Sequence, residues 1–303
     1  MMLRGMVERI RKRFRKPTRY YNIDGFVLDM GENHLLSIYQ DGCPMFSRFI
    51  PYLGKLGQAV HQTNGVIIDL GANVGDTTAA LIKHTNADIL CIEPTNTYYS
   101  LLKENIASLD PSGKRIHTLQ AFISDKRQGY QASVSGGGTA VQKESSSPEA
   151  PTFLLPEAIE KCGISLARVS LIKTSTSGND AGAILSLGKL LNDMNPIFYI
   201  ETDMTMDGDD NILSRQLEAY LQMDDYLGGK GYNCCFVFDN YGNFLCEGTS
   251  STLKDIHRYM YRIAAGKSNR TFYYVYILVC RDRHKQLCAD TVEKYLKDYA
   301  CSC

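Results

Sequence analysis

The chain has no excess charge of either sign: 33 Lys and Arg stand against 33 Asp and Glu in 303 residues. That balance argues against a globally basic nucleic-acid binder, and no nucleic-acid partner is expected. It also lacks any apolar run near the roughly 20 residues that span a bilayer. The run Tyr273–Cys280 has eight residues and, rich in β-branched and aromatic side chains, reads as a buried strand. The ten cysteines lack metal or redox spacing: Cys234-Cys235 and Cys301-x-Cys303 are not C-x-x-C pairs. Cys91 and Cys280 fall inside strand-like runs, where cysteine acts as a small apolar residue. The six histidines contain no pair at helical ligand spacing, and no metal is expected. No apolar h-region follows the basic start, so no secretory signal is read. Reduced thiols in a cytoplasmic protein are the expectation. A chain of this length holds one large α/β domain with a small accessory region.

The most informative segment is Val66–Thr78, Val-Ile-Ile-Asp-Leu-Gly-Ala-Asn-Val-Gly-Asp-Thr-Thr. A short apolar run passes through Asp69, turns at Gly71 and Gly75, and opens a helix. This is a strand, a tight turn, and a helix start whose amides would face a ligand. Gly71 lets the backbone approach closely, and Asn73 tolerates left-handed geometry. Asp76 and Thr77 are candidate N-caps for a helix at Thr78–His84. The next strand, Asp88–Glu93, ends in an acid before Pro94, and Glu93 lies 22 residues after Gly71. An acid near that separation accepts hydrogen bonds from ribose hydroxyls in nucleoside-binding βαβ units. Thr97–Leu109 follows as an amphipathic helix, with Tyr98, Leu101, Leu102, Asn105, Ile106 and Leu109 in helical period. The turn lacks the G-x-G-x-x-G triplet of dinucleotide sites. It fits better the D-x-G-x-x-x-G turn of S-adenosylmethionine binders, whose ligand has no pyrophosphate to cradle.

Asp69–Thr78, Ile92-Glu93-Pro94 and Leu101-Leu102-x-x-Asn105-Ile106 together resemble the FkbM family of S-adenosylmethionine-dependent methyltransferases. Ala121–Asp125 with Gly129, Leu171–Gly178, Pro196–Glu201 and Gly231-Tyr232 followed by Phe236–Asn243 continue the resemblance, which covers residues 62–245 in order. It implies a class I methyltransferase fold, a Rossmann-like, doubly wound, mostly parallel sheet. It implies S-adenosylmethionine as cofactor, held by Asp69, Gly71, Ala72, Asn73, Gly75, Asp76, Thr77, Glu93 and Asp125. It further implies O-methylation of a hydroxyl on a sugar, a glycan or a related metabolite. One departure stands out. The fourth-strand motif of the family usually carries an Asp and a Glu where this chain has Ser175 and Ser177, while Lys173 and Gly178 remain.

Residues 1–18 form a basic arm. Arg4, Arg9, Arg11, Lys12, Arg13, Arg15 and Lys16 face only Glu8, and Leu3, Val7, Ile10 and Phe14 recur with a helical period. The arm reads either as peripheral contact with the anionic inner face of a membrane or as a solvated extension. Residues 19–61 read as a cap. Gly25–Met30 and His34–Gln40 look like a strand pair, and Pro44–Ile50 like a short helix stopped by Pro51. Residues 62–303 form the cofactor-binding domain. Within it, 129–151 holds Gly136-Gly137-Gly138 and Ser145-Ser146-Ser147 and reads as a mobile loop. Further on, Val169–Thr174, Ile197–Thr202, Asn233–Asp239 and Thr271–Cys280 read as strands. Asp180–Met194, Leu213–Leu227 and Leu253–Ala264 read as helices. This alternation implies a mostly parallel sheet covered on both faces.

Methyl transfer to a hydroxyl needs near-attack geometry and a group that takes the proton. The candidates are Lys173, Glu201 and Asp203. Lys173 has a second reading as an ion-pair partner of Glu201. Glu201 and Asp203 share a face only while the strand stays extended, so a strand ending at Thr202 brings just one of them to the pocket. The acids at 203, 207, 209 and 210 read either as a Mg²⁺ cluster or as a solvated loop. Two other classes remain open: a cofactor binder that has lost catalysis, and a nicotinamide-dependent sugar-modifying enzyme. Oligomeric state is left open.

Overall fold

The computed structural model describes residues 17–42, 47–61, 64–135, 138–144, 148–204, 210–266 and 274–300. Nearly all of the basic arm, and the acids at 207 and 209, lie outside them.

Val66–Leu70 (β3) is buried at every position, as are Val169–Thr174 (β10) and Ile197–Thr202 (β11). A strand buried on both sides has no polar face, which is why these segments read as continuous apolar runs. Alternate residues serve different layers. Ile67 and Leu171 pack into one core, while Ile68 and Ile172 pack into the other. With Asp88–Ile92 (β4), Ile116–Leu119 (β5), Cys234–Asp239 (β12), Phe244–Gly248 (β13) and Val275–Cys280 (β14) they form one eight-stranded sheet. Its order is β13-β12-β14-β11-β10-β3-β4-β5. Strands β10, β11, β3, β4 and β5 are mutually parallel. β14 is antiparallel to both β11 and β12, and β13 runs against β12. The expected doubly wound, mostly parallel sheet is therefore present.

The cap differs in detail from expectation. Tyr20–Ile23 (β1) pairs with Phe26–Asp29 (β2). Asp24 and Gly25 both have positive φ, 51° and 96°, as a two-residue type I′ hairpin demands. The segment expected as the second strand, His34–Gln40, instead enters a helix at Leu36–Gly42 (α1). Pro51 does not stop a helix but sits in the first turn of Ile50–His61 (α2), where its missing N–H costs nothing. Leu53 and Leu56 of α2 pack with Ile67 and Leu171. That helix belongs to one covering layer of the sheet.

Asp76–Ile82 (α3) begins two residues earlier than expected, with Gly75 as N-cap and no side-chain cap. Asn96–Leu109 (α4) is capped by Thr95, whose hydroxyl accepts the Tyr98 amide. The segment 129–151, expected as a loop, builds an antiparallel hairpin of Tyr130–Ser135 (β7) and Gly138–Glu144 (β8). The residues on either side of 136–137 supply the backbone pairing. Phe122–Ile123 (β6) pairs with Thr152–Phe153 (β9) beside it. Leu155–Lys161 (α5) and Asp180–Leu185 (α6) follow. The helix expected to Met194 ends early and gives way to a 3₁₀ turn at Gly188–Asn192, where Gly188 has φ 54°. Asp210–Gly229 (α7) and Ser250–Ala264 (α8) cover the second face. Asp282–Ala300 (α9) is an element the sequence reading lacks, although Cys288, Val292 and Tyr295 are buried at helical spacing. Among the described residues, no helix is long and apolar enough to cross a membrane.

Candidate active site

After β3 the chain leads to β4 and β5 on one side, while β10 and β11 extend the sheet on the other. Ligands bind outside the carboxyl ends of strands at such a switch point. A cleft of about 400 Å³ lies there, within the range of small-molecule sites.

The turn after β3 is held by its own hydrogen bonds. The Gly71 and Ala72 amides both donate to the Ile92 carbonyl, at 2.9 and 3.1 Å. The Asn73 amide donates to Glu93 Oε2 at 3.0 Å, and the Gly75 amide to the Ala72 carbonyl at 2.8 Å. These four turn amides are satisfied within the protein; they precede the first residues of α3, whose amides the sequence expectation concerned. Gly71 has φ 72°, and a Cβ there would lie 1.9 Å from the Ser175 carbonyl oxygen. Its glycine serves the close passage of the chain leaving β10. Asn73 has φ 51°, the left-handed geometry expected of it.

Glu93 lines the cleft and is nearly buried. Its Oε1 accepts the Thr95 amide at 3.0 Å and the Thr95 hydroxyl at 2.7 Å. Oε2 takes the Asn73 amide, which leaves it a second lone pair for a ligand hydroxyl. Burial pushes the Glu93 pKa up, against the hydrogen bonds that pull it down. Asp76, in the first turn of α3, also lines the cleft, and burial raises its pKa despite Lys173 and His34 nearby.

Other candidates lie behind the cleft wall. Asp69 is fully buried. Its Oδ1 sits 2.9 Å from Lys173 Nζ, and its Oδ2 accepts the Thr78 hydroxyl at 3.1 Å. The lysine thus pairs with Asp69 and not with Glu201. Burial works against the Lys173 charge, yet Asp69 holds its pKa above the ordinary lysine value. Gly71, Asn73, Asp76, Thr77 and Glu93 line the cleft together with Lys173, while Asp69, Ala72 and Gly75 do not. Asp125 is exposed after β6 and does not line it either.

Both carboxylates of the fifth parallel strand reach the cleft, although β11 ends at Thr202. Thr202 lies between them and does not line it. Glu201 Oε2 accepts the Ser175 hydroxyl at 3.0 Å and the Tyr276 hydroxyl at 2.6 Å. Ser175 therefore supports an acid on the neighbouring strand. Burial above all, then the charges of Asp203 and Asp180, push the Glu201 pKa up to about 7. Tyr199 stacks on Tyr276 with centroids 4.8 Å apart, and both line the cleft beside Glu201.

Two residues to which the sequence reading assigns no site role bear on the cleft. His34 of the cap lines the cleft, and its Nε2 lies 3.1 Å from Asn73 Oδ1. Asn105 on α4 accepts the Asp29 amide and donates to the Asp29 and Val74 carbonyls, at 2.8, 2.9 and 2.8 Å. It ties the cap to the glycine turn. A polar amide inside an otherwise apolar helical stripe is the signal that marks it.

A scan against protein-family models finds no match, and a search of curated proteins finds none. The chain is similar to solved structures of low identity. Methyltransferase FkbM from Methylobacillus flagellatus KT matches with a TM-score of 0.32 and 15% identity, over 46% of this chain and 33% of that one. The chain thus spans about a third of that protein's length. A putative O-methyltransferase from Klebsiella pneumoniae gives 0.42 and 10%, over 76% and 79% of the two chains. The plantazolicin methyltransferase BamL, solved with a triazolic desmethylPZN analog and SAH, gives 0.42 and 9%, over 82% and 90%.

Proposed function

We propose that the chain is an S-adenosylmethionine-dependent O-methyltransferase that acts on a hydroxyl of a sugar, glycan or related metabolite. The observation that carries this reading is the charge of the cleft. Asp76, Glu93, Glu201 and Asp203 line it, whereas the lining lysine, Lys173, is matched by Asp69. Asp76 stands in the helix turn where a pyrophosphate would rest, and the turn amides are already bonded internally. The Asp76 carboxylate there disfavours the pyrophosphate of a dinucleotide. A ligand with a ribose and a cationic sulfonium fits an acid-lined cleft. This favours S-adenosylmethionine over a nicotinamide cofactor.

When bound, S-adenosylmethionine supplies a methyl group already activated by its positive sulfur. Glu93 Oε2 is placed to accept a ribose hydroxyl. Asp76 stands where it favours positive charge. The protein's remaining task is to align the acceptor oxygen and take its proton. Glu201 suits this task. Ser175 and Tyr276 fix Oε2, and Oε1 is engaged by neither. A carboxylate titrating near 7 is matched to accept a proton at neutral pH. Lys173, held charged by Asp69, has no proton to gain.

Single-turnover methyl release from labelled S-adenosylmethionine, with sugar and glycan acceptors, tests the reading. Glu201→Gln should lower turnover about 10²–10⁴-fold, the usual worth of a general base. Adenosylhomocysteine affinity should stay within a few-fold. Binding without methyl release to any such acceptor would favour a binder that has lost catalysis. We also propose that residues 1–16 give peripheral contact with an anionic membrane, on the strength of their basic face. Equal sedimentation of full-length and truncated protein with anionic vesicles at low salt would rule that out.

A further inference from the structure

Asp224 on α7 and His257 on α8 are fully buried, and the chemistry above uses neither. Asp224 Oδ2 lies 2.8 Å from His257 Nδ1. His257 Nε2 lies 3.1 Å from Thr202 Oγ1. Thr202 is the last residue of β11, between Glu201 and Asp203. Along an extended chain successive side chains alternate sides. Glu201 and Asp203 therefore reach the cleft while Thr202 turns away from it, toward α8. Tyr220 of α7 grips the same strand end. Its ring stacks on His257 with centroids 4.7 Å apart, and its hydroxyl donates to the Asp203 carbonyl at 3.5 Å.

The hydrogen-bond pattern sets the tautomer of a neutral ring. In that tautomer Nδ1–H faces Asp224 and Nε2 faces the Thr202 hydroxyl; a doubly protonated ring would donate to both. Such an arrangement is costly. Asp224 Oδ1 is buried without a hydrogen-bond partner among the described residues, and burial raises the Asp224 pKa against the pull of His257. An apolar trio would pack at lower cost. Thr202 is fully buried and does not line the cleft. Its hydroxyl cannot reach a substrate, so this is not a hydrolytic triad.

We propose that Asp224, His257 and Thr202 form a positioning relay that holds the end of β11 extended and so keeps the Glu201 and Asp203 carboxylates together in the cleft. Its catalytic meaning rests on the reading of Glu201 as proton acceptor. The relay itself is read from the strand end. Glu201 faces Asp203 and Asp180, whose charges disfavour its ionisation, and Lys173 and Tyr276, which favour it. If the relay is cut, the strand end loses the Thr202 tether while Tyr220 still contacts the Asp203 carbonyl; the Asp203 carboxylate then shifts relative to Glu201 and that repulsion weakens.

The test is a carboxyl-carbon NMR titration of the full chain labelled at glutamate, with Glu201→Gln identifying the signal. Thr202→Val removes the hydroxyl and leaves the Asp224–His257 pair in place. It should lower the Glu201 midpoint by about one pH unit, the order of a lost like-charge contact. His257→Gln should shift it in the same direction, and Thr202→Ser, which keeps a hydroxyl, should retain the wild-type midpoint. Melting temperatures are recorded alongside. A structural role alone lowers the melting temperature and leaves the midpoint where it was. A wild-type midpoint in both folded Thr202→Val and His257→Gln overturns the proposal. The titration needs neither methyl donor nor acceptor, so failure of the relay and failure of the methyltransferase reading are distinguishable.

Discussion

Lys173 Nζ and Asp69 Oδ1 lie 2.9 Å apart with both side chains out of solvent. The two residues are register partners on adjacent parallel strands, β10 and β3. Thr78, from α3, donates to the other Asp69 oxygen. One buried pair therefore ties together the two strands and the helix that form the floor of the cleft.

Removing one member of that pair leaves a buried charge without a partner. Lys173→Met should cost about 3–5 kcal/mol of folding stability. The double variant Asp69→Asn with Lys173→Met should regain most of it, because no lone charge remains. Urea unfolding measures both. A single variant within about 1 kcal/mol of wild type, the level of a surface pair, would show that the contact carries no structural weight.

Gly71 holds the crossing of β3 and the chain leaving β10. Its φ of 72° and the 1.9 Å that would separate an added Cβ from the Ser175 oxygen act together. Gly71→Ala should therefore destabilise by more than the roughly 1–2 kcal/mol of left-handed strain alone. It should also weaken adenosylhomocysteine binding, since Asn73 and Glu93 depend on the same turn. Gly163→Ala, with φ 71° but nothing within 4 Å, is the control that isolates the strain. Equal melting temperatures for the two variants would remove the argument from close approach.

Burial of Glu201 makes stability depend on pH in a defined direction. Its pKa rises from an ordinary 4.5 to about 7 in the fold. Between those values the folded protein binds the proton that the unfolded chain has released. Stability from this group is therefore full below about 4.5 and is lost as pH rises to about 7. Glu201→Gln removes that dependence. The variant should gain stability relative to wild type as pH climbs from about 5 to about 8, measured by thermal melts in matched buffers. A difference that stays constant across that range would place the Glu201 pKa near its ordinary value.

The sheet is legible in the sequence because its strands are buried on both sides and leave continuous apolar runs, as at Val66–Leu70 and Ile197–Thr202. The left-handed Asn73 is legible from residue type, and Glu93 from its spacing after Gly71. Pairing partners are not. Nothing in the sequence says that Lys173 meets Asp69 and not Glu201, because that choice depends on which strands become neighbours and in what register. The cap departs from expectation for a local reason. Asp24-Gly25 carries the hairpin signal that sets the strand pair, and Pro51, which reads as a stop, is well tolerated in a first helical turn. The hairpin at 130–144 is hidden because the glycine- and serine-rich composition of 129–151 reads as a loop. Ser175 reads as a lost carboxylate. Only the neighbouring strand reveals that its hydroxyl holds Glu201.

The central claim is a nucleoside site at Glu93 beside the glycine turn, and calorimetry with S-adenosylhomocysteine tests it most directly. Wild type should bind. Glu93→Ala removes a buried charged acceptor, and each hydrogen bond to such a group is worth roughly 1.5–3 kcal/mol. Affinity should therefore fall at least about tenfold, which corresponds to about 1.4 kcal/mol. Thermal melts of the variant confirm that it remains folded. No binding by wild type, or the same affinity in a folded Glu93→Ala protein, would contradict the account.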